Sequence, residues 1–598
     1  MRNRQVEWLT LGSLLGLAAS CSSNPNQSNQ SLFADNAGAS GSVLSATPSG
    51  GRSSPNSGGA TNGGGSLASN GGSNNGGTTP SNGGATSNAG SSGDTAPSNG
   101  GAAQAGASSS AAGATGSAGA VGGGSGGASG QFPLTVSSNG RYLQDATGKP
   151  FRIHGDAIWD ASVSFSLTDL RTYLDDREAR GFNTILVQIS DPVKYVPESP
   201  APASKGAGGA LPFLKNVSGG TWNGDPTFAS DNNAHNPAPG NFDADFSSPN
   251  PTYFAWIDTL LNEAAARGFL VVLTPCYLGY NNGAQDGWWR TLNNSVNTQA
   301  VSLGFGQYLG NRYKGFGNIL WEMGVDMMPP AGSEGEARAH KILEGIRAAG
   351  DTHLWTGHWK AGYLSTDEAA FASAMTVEGV YTHGPYPTTG PTYGRSRLGY
   401  SHEPHLPTVL LETNYEGSYG ATSAQIREFM WDADLSTIGG AIFGNSALWA
   451  VPNDWQSSLD SQGARDMQRL GGLLDSLPWY QLVPSGLAAT KSLIVAGGGT
   501  YTTLANPGDT EQGGEGWVTS ASTPDGRHFV AYIPDSHTGS VTLDLTLLSG
   551  TGHARWFDPT NGTFTEIGLY PNSASMAFSV PGTNSAGAND WLLVIDVP

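Results

Sequence analysis

The sequence is poor in charge, in cysteine and in long apolar runs. Charged residues make up 13 % of its 598 positions, and 48 acidic against 28 basic side chains give a net charge of −20. Proteins that bind nucleic acid concentrate Lys and Arg, so we expect no nucleic-acid partner. The two cysteines, Cys21 and Cys276, are too few for a disulfide framework and lack the spacing of a zinc site. We expect neither a metal nor an organic cofactor.

The first 21 residues have the features of an export signal. Arg2 and Arg4 precede an apolar segment, Trp8 to Ala19, that is too short to span a bilayer. Its end, Leu-Ala-Ala-Ser-Cys21, is similar to a bacterial lipobox, in which Cys21 would be the lipidated first residue of the mature protein. An ordinary cleaved signal with an incidental cysteine is the alternative. Lipidation predicts an outer-membrane or cell-surface lipoprotein that contacts the membrane through its lipid anchor only.

Residues 22–130 consist mainly of Gly, Ser, Ala, Asn and Thr. Such a segment cannot bury enough apolar surface to offset the entropy cost of ordering it, so we predict a disordered linker. Its root-mean-square reach is roughly 60 Å if it behaves as a flexible chain. A lipid at one end would then place the folded part away from the membrane, near a large or immobile substrate. A passive spacer is the other interpretation.

Residues 131–484 alternate between short apolar runs and helical patterns. This alternation predicts an α/β fold with eight parallel strands, a (β/α)8 TIM barrel. A long insertion rich in Gly, Pro and Asn, residues 191–250, follows the second strand and is expected to shape the binding cleft. The predicted strands are residues 151–154, 183–188, 269–274, 318–326, 353–356, 378–383, 408–412 and 438–443.

In residues 485–598 the helical period disappears. Short alternating runs divided by Gly, Asn, Asp and Pro predict a small antiparallel β-sandwich. Such a domain could bind glycan or brace the barrel. We favour bracing, because no row of aromatic side chains is recognisable there.

Two acids stand at the carboxyl ends of predicted strands. Asp326 follows the fourth strand and Glu412 ends the seventh. A barrel builds its active site at this edge, and glycosidic bonds are cleaved by one acid that protonates the leaving oxygen and a second that attacks or activates water. We predict Asp326 as the general acid/base and Glu412 as the nucleophile. Ion-paired or solvated loop acids are the alternative, and Glu322, deeper on the fourth strand, is the main rival of Asp326.

Several side chains at other strand ends are predicted to contact a sugar. Asp156 follows the first strand and could bind hydroxyl groups, although a helix-capping or turn acid is the alternative. Tryptophans in strand-end loops could stack on sugar rings, although ordinary packing accounts for most such residues. Tyr381 and His383 end the sixth strand and could orient the nucleophile or contact substrate. The predicted substrate-binding residues are Asp156, Trp159, Trp288, Trp289, Tyr381, His383, Tyr415 and Trp449.

Two other hydrolase classes fit the sequence poorly. The segment His402-Glu-Pro-His405 has the wrong spacing for a helical zinc site, and Pro404 is incompatible with a helix interior there. The predicted barrel, residues 131–484, contains no Gly-x-Ser-x-Gly nucleophile turn, which argues against a serine hydrolase.

An ordered set of motifs resembles the apiosidase-like barrels of glycoside hydrolase family 140, also described as domain-of-unknown-function family 4038. The resemblance lies in residues 154–159, 173–183, 253–258, 312–321 and 412–417. Residues 531–534, 556–559 and 590–593 are similar to the β-domain of these proteins, which is named for collagen binding. The resemblance implies a (β/α)8 glycosidase whose catalytic Asp corresponds to Asp326 and whose nucleophile corresponds to Glu412.

One departure concerns the substrate. The family commonly has Leu-Gly-Gly-Asp at the acid, where this chain has Met323-Gly-Val-Asp326. The apiosidase substrate is a side chain of an acidic pectin, which a strongly acidic enzyme would repel unless ions screened the field. We therefore predict a secreted or surface-anchored glycoside hydrolase that cleaves O-glycosidic bonds of a polysaccharide or oligosaccharide by a retaining mechanism. A non-catalytic surface lipoprotein that binds glycan or matrix is the alternative.

Overall fold

The computed structural model describes residues 130–192, 204–222, 243–280, 287–383, 390–487, 490–499 and 516–598. The predicted signal, its Cys21 and the predicted linker up to residue 129 lie outside the described residues, as do parts of the insertion after the second strand. Among the described residues, no helix is both long and apolar enough to cross a bilayer.

Eight parallel strands form the central sheet, which confirms the predicted barrel. They are hydrogen-bonded in the order β5-β4-β3-β2-β1-β8-β7-β6. Nearly all their residues are buried, as expected for strands covered by side chains inside and helices outside. The strands are β1 Ile153–Ala157, β2 Thr184–Gln188, β3 Leu270–Thr274, β4 Ile319–Gly324, β5 Leu354–His358, β6 Glu378–Tyr381, β7 Thr408–Glu412 and β8 Ile438–Phe443.

Helices connect the barrel strands. Most of the longer ones begin at a side chain that accepts a hydrogen bond from the first helical turn; Ser166 and Thr422 form complete capping boxes at α2 and α8. The helices are α1 Ala161–Ser164, α2 Leu167–Ala179, α3 Pro251–Ala266, α4 Trp289–Leu292, α5 Gln299–Tyr313, α6 Glu334–Ala348, α7 Gly390–Ser401, α8 Ser423–Thr437 and α9 Gln462–Asp475. A three-stranded antiparallel sheet of Thr135–Val136, Leu143–Gln144 and Pro150–Phe151 precedes β1.

A serine hydroxyl links β5 to β6, where the strand ladder is interrupted. Ser365 Oγ accepts hydrogen bonds from the N–H of Gly357 (3.0 Å) and of Gly379 (2.5 Å), and donates one to Gly357 O (2.9 Å). The N–H of Val377 donates to Trp355 O at 3.0 Å at the start of the two strands. These bonds satisfy buried backbone groups that a closed barrel would pair directly, so the ring of strands is nearly complete.

The C-terminal residues form two antiparallel sheets, as predicted. One has the order β9-β11-β12-β17-β14-β15 and the other β10-β13-β16. Apolar side chains of both sheets share one core, which includes Phe529, Val541, Phe578 and Leu593. The strands are β9 Val483–Pro484, β10 Ile494–Ala496, β11 Thr519–Ser522, β12 His528–Ile533, β13 Ser540–Asp544, β14 Gly552–Phe557, β15 Phe564–Tyr570, β16 Ser575–Ser579 and β17 Trp591–Asp596.

The outer face of the six-stranded sheet packs against α8 of the barrel. Arg427 of α8 donates to both carboxylate oxygens of Asp590 (2.6 and 2.7 Å) and to Asp466 of α9 (2.9 Å). The ring of Trp431 stacks on Tyr532 with a centroid distance of 6.2 Å. These buried contacts fix the β-domain to the barrel, and the bracing role stays a prediction.

Candidate active site

The turn after β4 projects Asp326 by an unusual backbone conformation. Gly324, Val325 and Asp326 all have positive φ, at 92°, 69° and 60°. Positive φ is rare for a β-branched residue such as Val325 and indicates local strain, which is common at functional sites. A Cβ at Gly324 would lie 2.6 Å from the carbonyl oxygen of His358, so only glycine fits there.

Two phenols hold the carboxyl group of Asp326. Tyr277, which follows β3, donates to Oδ2 at 3.1 Å, and Tyr381 at the end of β6 donates a short hydrogen bond to Oδ1. Burial and the negative charge of Glu412 raise the pKa of Asp326, and these effects outweigh the opposite influence of His358 and Tyr381. Asp326 therefore retains its proton to a higher pH than an ordinary Asp.

Glu412 is the last residue of β7, and its side chain is 8 % exposed. Its Oε2 lies 3.1 Å from Nε2 of His358. Burial alone would raise the pKa of Glu412, but the His358 imidazolium and hydrogen bonding lower it overall. Glu412 is accordingly ionised where Asp326 is protonated.

The two acids face each other across the mouth of the barrel. One oxygen of Asp326, one oxygen of Glu412 and one ring nitrogen of His358 all lie within 4.8 Å of one another. Their pKa values are shifted in opposite directions. Such a pair supplies one proton donor and one anionic group at the same pH.

His358 is a site residue that the sequence analysis missed. It ends β5, and the predicted fifth strand stopped two residues earlier, at Thr356. Its Nδ1 lies 3.1 Å from Glu322 Oε1, and its side chain is fully buried. Burial disfavours the imidazolium, but the carboxylates of Glu322 and Glu412 raise the pKa of His358 to about 10. A histidine at a strand end after a small residue was the only signal for it.

Four of the predicted substrate-binding residues surround the acids. Trp159 Nε1 donates to Tyr415 OH at 2.7 Å, and the Tyr415 side chain in turn hydrogen-bonds Glu412. The Tyr381 ring lies 4.2 Å from the His358 ring, measured between centroids. His383 lies 5.6 Å from the ring of Tyr415. Together these side chains give the site aromatic walls of the kind that pack against sugar rings.

Asp156 is not brought to the mouth of the barrel, which corrects the prediction of a substrate contact. It lies within β1 rather than beyond it, and its side chain is fully buried. Its Oδ2 accepts hydrogen bonds from Arg177 Nε (2.5 Å) and from the Tyr173 hydroxyl (2.8 Å), both on α2. Strand alternation turns this carboxylate towards the helix layer, where a buried acid requires such a cation.

The structure also corrects the role predicted for Trp288. Its side chain is buried among Phe213, Trp222 and Phe246, which belong to the insertion after β2, and its Nε1 donates to Ser190 O at 3.1 Å. No ring face remains for a sugar.

Trp289 and Trp449 are half-buried, whereas Trp288 is buried. The ring of Trp289 packs on Gly335 of α6, where an added Cβ would lie 2.2 Å from it. The backbone carbonyl of Trp449 accepts a hydrogen bond from Asp160 N–H at 3.3 Å, in the loop that follows β1. Because both rings keep exposed surface, the sugar contacts of Trp289 and Trp449 stay predictions.

The spacing of Asp326, His358 and Glu412 would also suit a metal ion. The ring nitrogens of His358 both face carboxylates, Nδ1 towards Glu322 and Nε2 towards Glu412, each at 3.1 Å. An imidazolium in this position has no lone pair for a metal. The three groups form an ionic cluster in which the His358 cation lies between two carboxylates.

Replacement of Tyr381 by Phe is expected to move the alkaline limb of the pH profile of kcat/KM upwards. The phenol stabilises the ionised form of Asp326, so its loss raises the pKa of Asp326 further, and the acid keeps its proton to higher pH. Turnover at the optimum should fall roughly tenfold, because the carboxyl group loses one anchor. Profiles of the two proteins test this, with Tyr570→Phe in the C-terminal domain as the control. An unshifted or lowered limb would contradict the assignment of Asp326 as the acid.

Comparison with known proteins gives two family matches. The family described as "Apiosidase-like, catalytic domain" matches residues 137–481, and "Putative collagen-binding domain of a collagenase" matches residues 510–596. No curated protein matches the chain.

Solved structures with a similar fold include a glycoside hydrolase family 5 protein from Bacteroides vulgatus ATCC 8482. It shares 17 % identity over 78 % of this chain and 94 % of that one, with a TM-score of 0.56. A second structure, described as a glycoside hydrolase, shares 19 % identity over 78 % and 97 % of the two chains, with a TM-score of 0.54. At these identities the likeness shows the fold alone. Because the catalytic-domain match spans more than half of the sequence, this chain belongs to the apiosidase-like family and is a glycoside hydrolase.

Proposed function

We propose that this protein is a retaining glycoside hydrolase that acts on a polysaccharide outside the cytoplasm. The observation that carries the proposal is the pair of acids at the ends of β4 and β7, with one oxygen of Asp326 within 4.8 Å of one oxygen of Glu412. Retaining glycosidases hold their carboxyl groups about 5–5.5 Å apart, whereas inverting enzymes need roughly 6.5–9.5 Å to admit a water molecule. The short separation favours direct attack by Glu412.

In the first step, a Glu412 oxygen attacks the anomeric carbon as the bond to the leaving oxygen breaks. Asp326 gives its proton to that oxygen, so the leaving group departs as a neutral alcohol. The raised pKa of Asp326 and the lowered pKa of Glu412 provide the required protonation states before the reaction begins.

In the second step, water hydrolyses the glycosyl ester of Glu412. Asp326, now ionised, takes one proton from the water as its oxygen bonds to the anomeric carbon, and the carboxylate of Glu412 leaves. The cycle restores both starting protonation states. His358 and the hydrogen bond of Tyr415 stabilise the carboxylate that is released.

The substrate class is proposed from the family and from the sequence. The family name suggests apiosides as the first compounds to test. The net charge of −20 disfavours an acidic polymer at low ionic strength, so the salt dependence with pectin is informative. Export and a lipid anchor at Cys21 remain part of the proposal, supported by the apolar segment and lipobox-like ending of residues 1–21.

A panel of aryl glycosides, apiosides and plant, algal and microbial polysaccharides should reveal at least one hydrolysed compound. Proton NMR of the first-formed sugar should show the anomeric configuration of the substrate, because two displacements restore it. An inverted product would refute the direct attack by Glu412 while leaving the hydrolase assignment intact. Saturable binding without any hydrolysis across the panel would instead favour a glycan-binding surface protein.

A further inference from the structure

A buried line of polar groups extends from the barrel interior to Glu412. The hydroxyl of Thr274, at the end of β3, donates a short hydrogen bond to Glu322 Oε2. The other oxygen of Glu322, Oε1, lies 3.1 Å from Nδ1 of His358, and His358 Nε2 lies 3.1 Å from Glu412 Oε2. Glu322 and His358 have no exposed side-chain surface. Four neighbouring or facing strands thus contribute one group each.

The charge and the orientation of each group in this line depend on its neighbour. A buried carboxylate such as Glu322 is costly unless a cation compensates it, and His358 is the cation beside it. The Nδ1 of this ring hydrogen-bonds Glu322, and its Nε2 forms an ion pair with Glu412, so a carboxylate beside each nitrogen favours a proton on both. Without Glu322, the ring would keep its ion pair with Glu412, and the proton on Nδ1 would lose the carboxylate that accepts it.

We infer that Glu322 is a positioning residue that acts through His358, fixing the ring so that a cationic Nε2–H faces the nucleophile. This inference rests on the proposed role of Glu412. Glu322 itself is fully buried beneath His358, so it has no direct contact with a sugar in the mouth of the barrel. Its effect on the reaction passes through the charge and orientation of the imidazolium.

The charged and titratable groups that face His358 come from three strands. Glu322 and Asp326 belong to β4 and the turn after it, Glu412 belongs to β7, and Tyr381 belongs to β6. Loss of the Glu322 charge removes one of the two carboxylates that keep the ring protonated, while the cost of burial remains. The imidazole should then lose a proton at a lower pH.

The experiment is a pH titration of the full-length protein labelled with ¹⁵N-histidine, comparing wild type with Glu322→Gln. The His358 signals are identified by their loss in His358→Gln. We expect both wild-type ring nitrogens to stay protonated through about pH 9, and the transition in Glu322→Gln to move down by at least about one pH unit. With an activated aryl glycoside, whose leaving group needs no proton from Asp326, the alkaline limb of kcat/KM should report the His358 titration and fall by a similar shift, with KM little changed.

Two further variants separate the change in the His358 titration from a general loss of stability. Glu322→Asp keeps the charge and should restore most of the protonated state and of the activity lost in Glu322→Gln. Asp351→Asn removes the carboxylate that contacts His353 at 2.9 Å, just before β5, and should lower stability without moving either titration.

An unchanged His358 titration in Glu322→Gln, or an equal loss of activity at every pH, would overturn the inference. If Glu322→Gln does not fold, Glu322→Asp decides alone, because the shorter side chain draws the carboxylate away from His358 Nδ1. A small lowering of the His358 titration supports the inference, and a titration identical to that of wild type overturns it. The NMR result needs no turnover. An active Glu412→Gln would refute the proposed function, whereas an unchanged His358 titration would refute the role of Glu322. The two results are therefore distinguishable.

Discussion

Glu412→Gln is expected to lower kcat/KM by on the order of 10³-fold or more, while binding of oligosaccharide persists. The amide has nearly the size of the carboxylate but cannot form the glycosyl ester. The imidazolium of His358 would then face a neutral amide, so the variant also loses the ion pair at 3.1 Å. Steady-state kinetics and calorimetric titration with an unhydrolysed oligosaccharide measure the two effects separately.

Glu416→Gln is the matched control for this variant. Glu416 lies four residues further on, and its carboxylate accepts hydrogen bonds from Asn445 Nδ2 and Gly463 N–H, both at 2.8 Å. Its replacement removes the same charge from the segment that directly follows β7, and we expect the rate to change by less than about tenfold. Turnover by Glu412→Gln close to that of wild type would refute the nucleophile assignment.

Much of the fold and both candidate acids could be predicted, because they follow from strong local patterns. Apolar runs such as Leu270–Thr274 and Thr408–Glu412 are buried on both faces, and their spacing by helical segments indicates a parallel barrel. Parallel strands place their carboxyl ends at one edge, so Asp326 and Glu412 were expected to meet there. Asp326 and Glu412 are far apart in sequence, but the topology of a parallel barrel brings the carboxyl ends of β4 and β7 to the same edge.

The errors arose where two residues of strand length, or one contact between segments distant in sequence, decide which groups meet. The fifth strand extends to His358, two residues beyond its apolar pattern, so its histidine was overlooked. Asp156 lies inside β1, and the two-residue period of a strand turns it towards Arg177 instead of the cleft. Trp288 is covered by aromatic residues of the β2 insertion, and no local pattern predicts where such a long loop packs.

Asp326→Gly is expected to reduce hydrolysis of substrates with poor leaving groups by about 10²–10⁴-fold, the usual contribution of a general acid. Glycine is the appropriate replacement because residue 326 has a φ of 60°, which glycine adopts without strain. The loss can therefore be attributed to the missing carboxyl group rather than to a distorted turn. Asp454→Gly, which removes an exposed acid in the loop after β8, is the control and should retain activity.

The dependence on leaving group makes this variant diagnostic. An activated aryl glycoside departs without a proton, so Asp326→Gly should form the glycosyl ester of Glu412 at nearly the wild-type rate and then accumulate it, because no base activates water. Azide, which needs no such base, should enter the space left by the side chain and release a glycosyl azide with the configuration of the substrate. An equal loss for good and poor leaving groups, without rescue by azide, would assign Asp326 a structural role and return Glu322 as the candidate acid. Because Glu322 is buried beneath His358, whereas Asp326 borders the mouth beside Glu412, the geometry favours rescue.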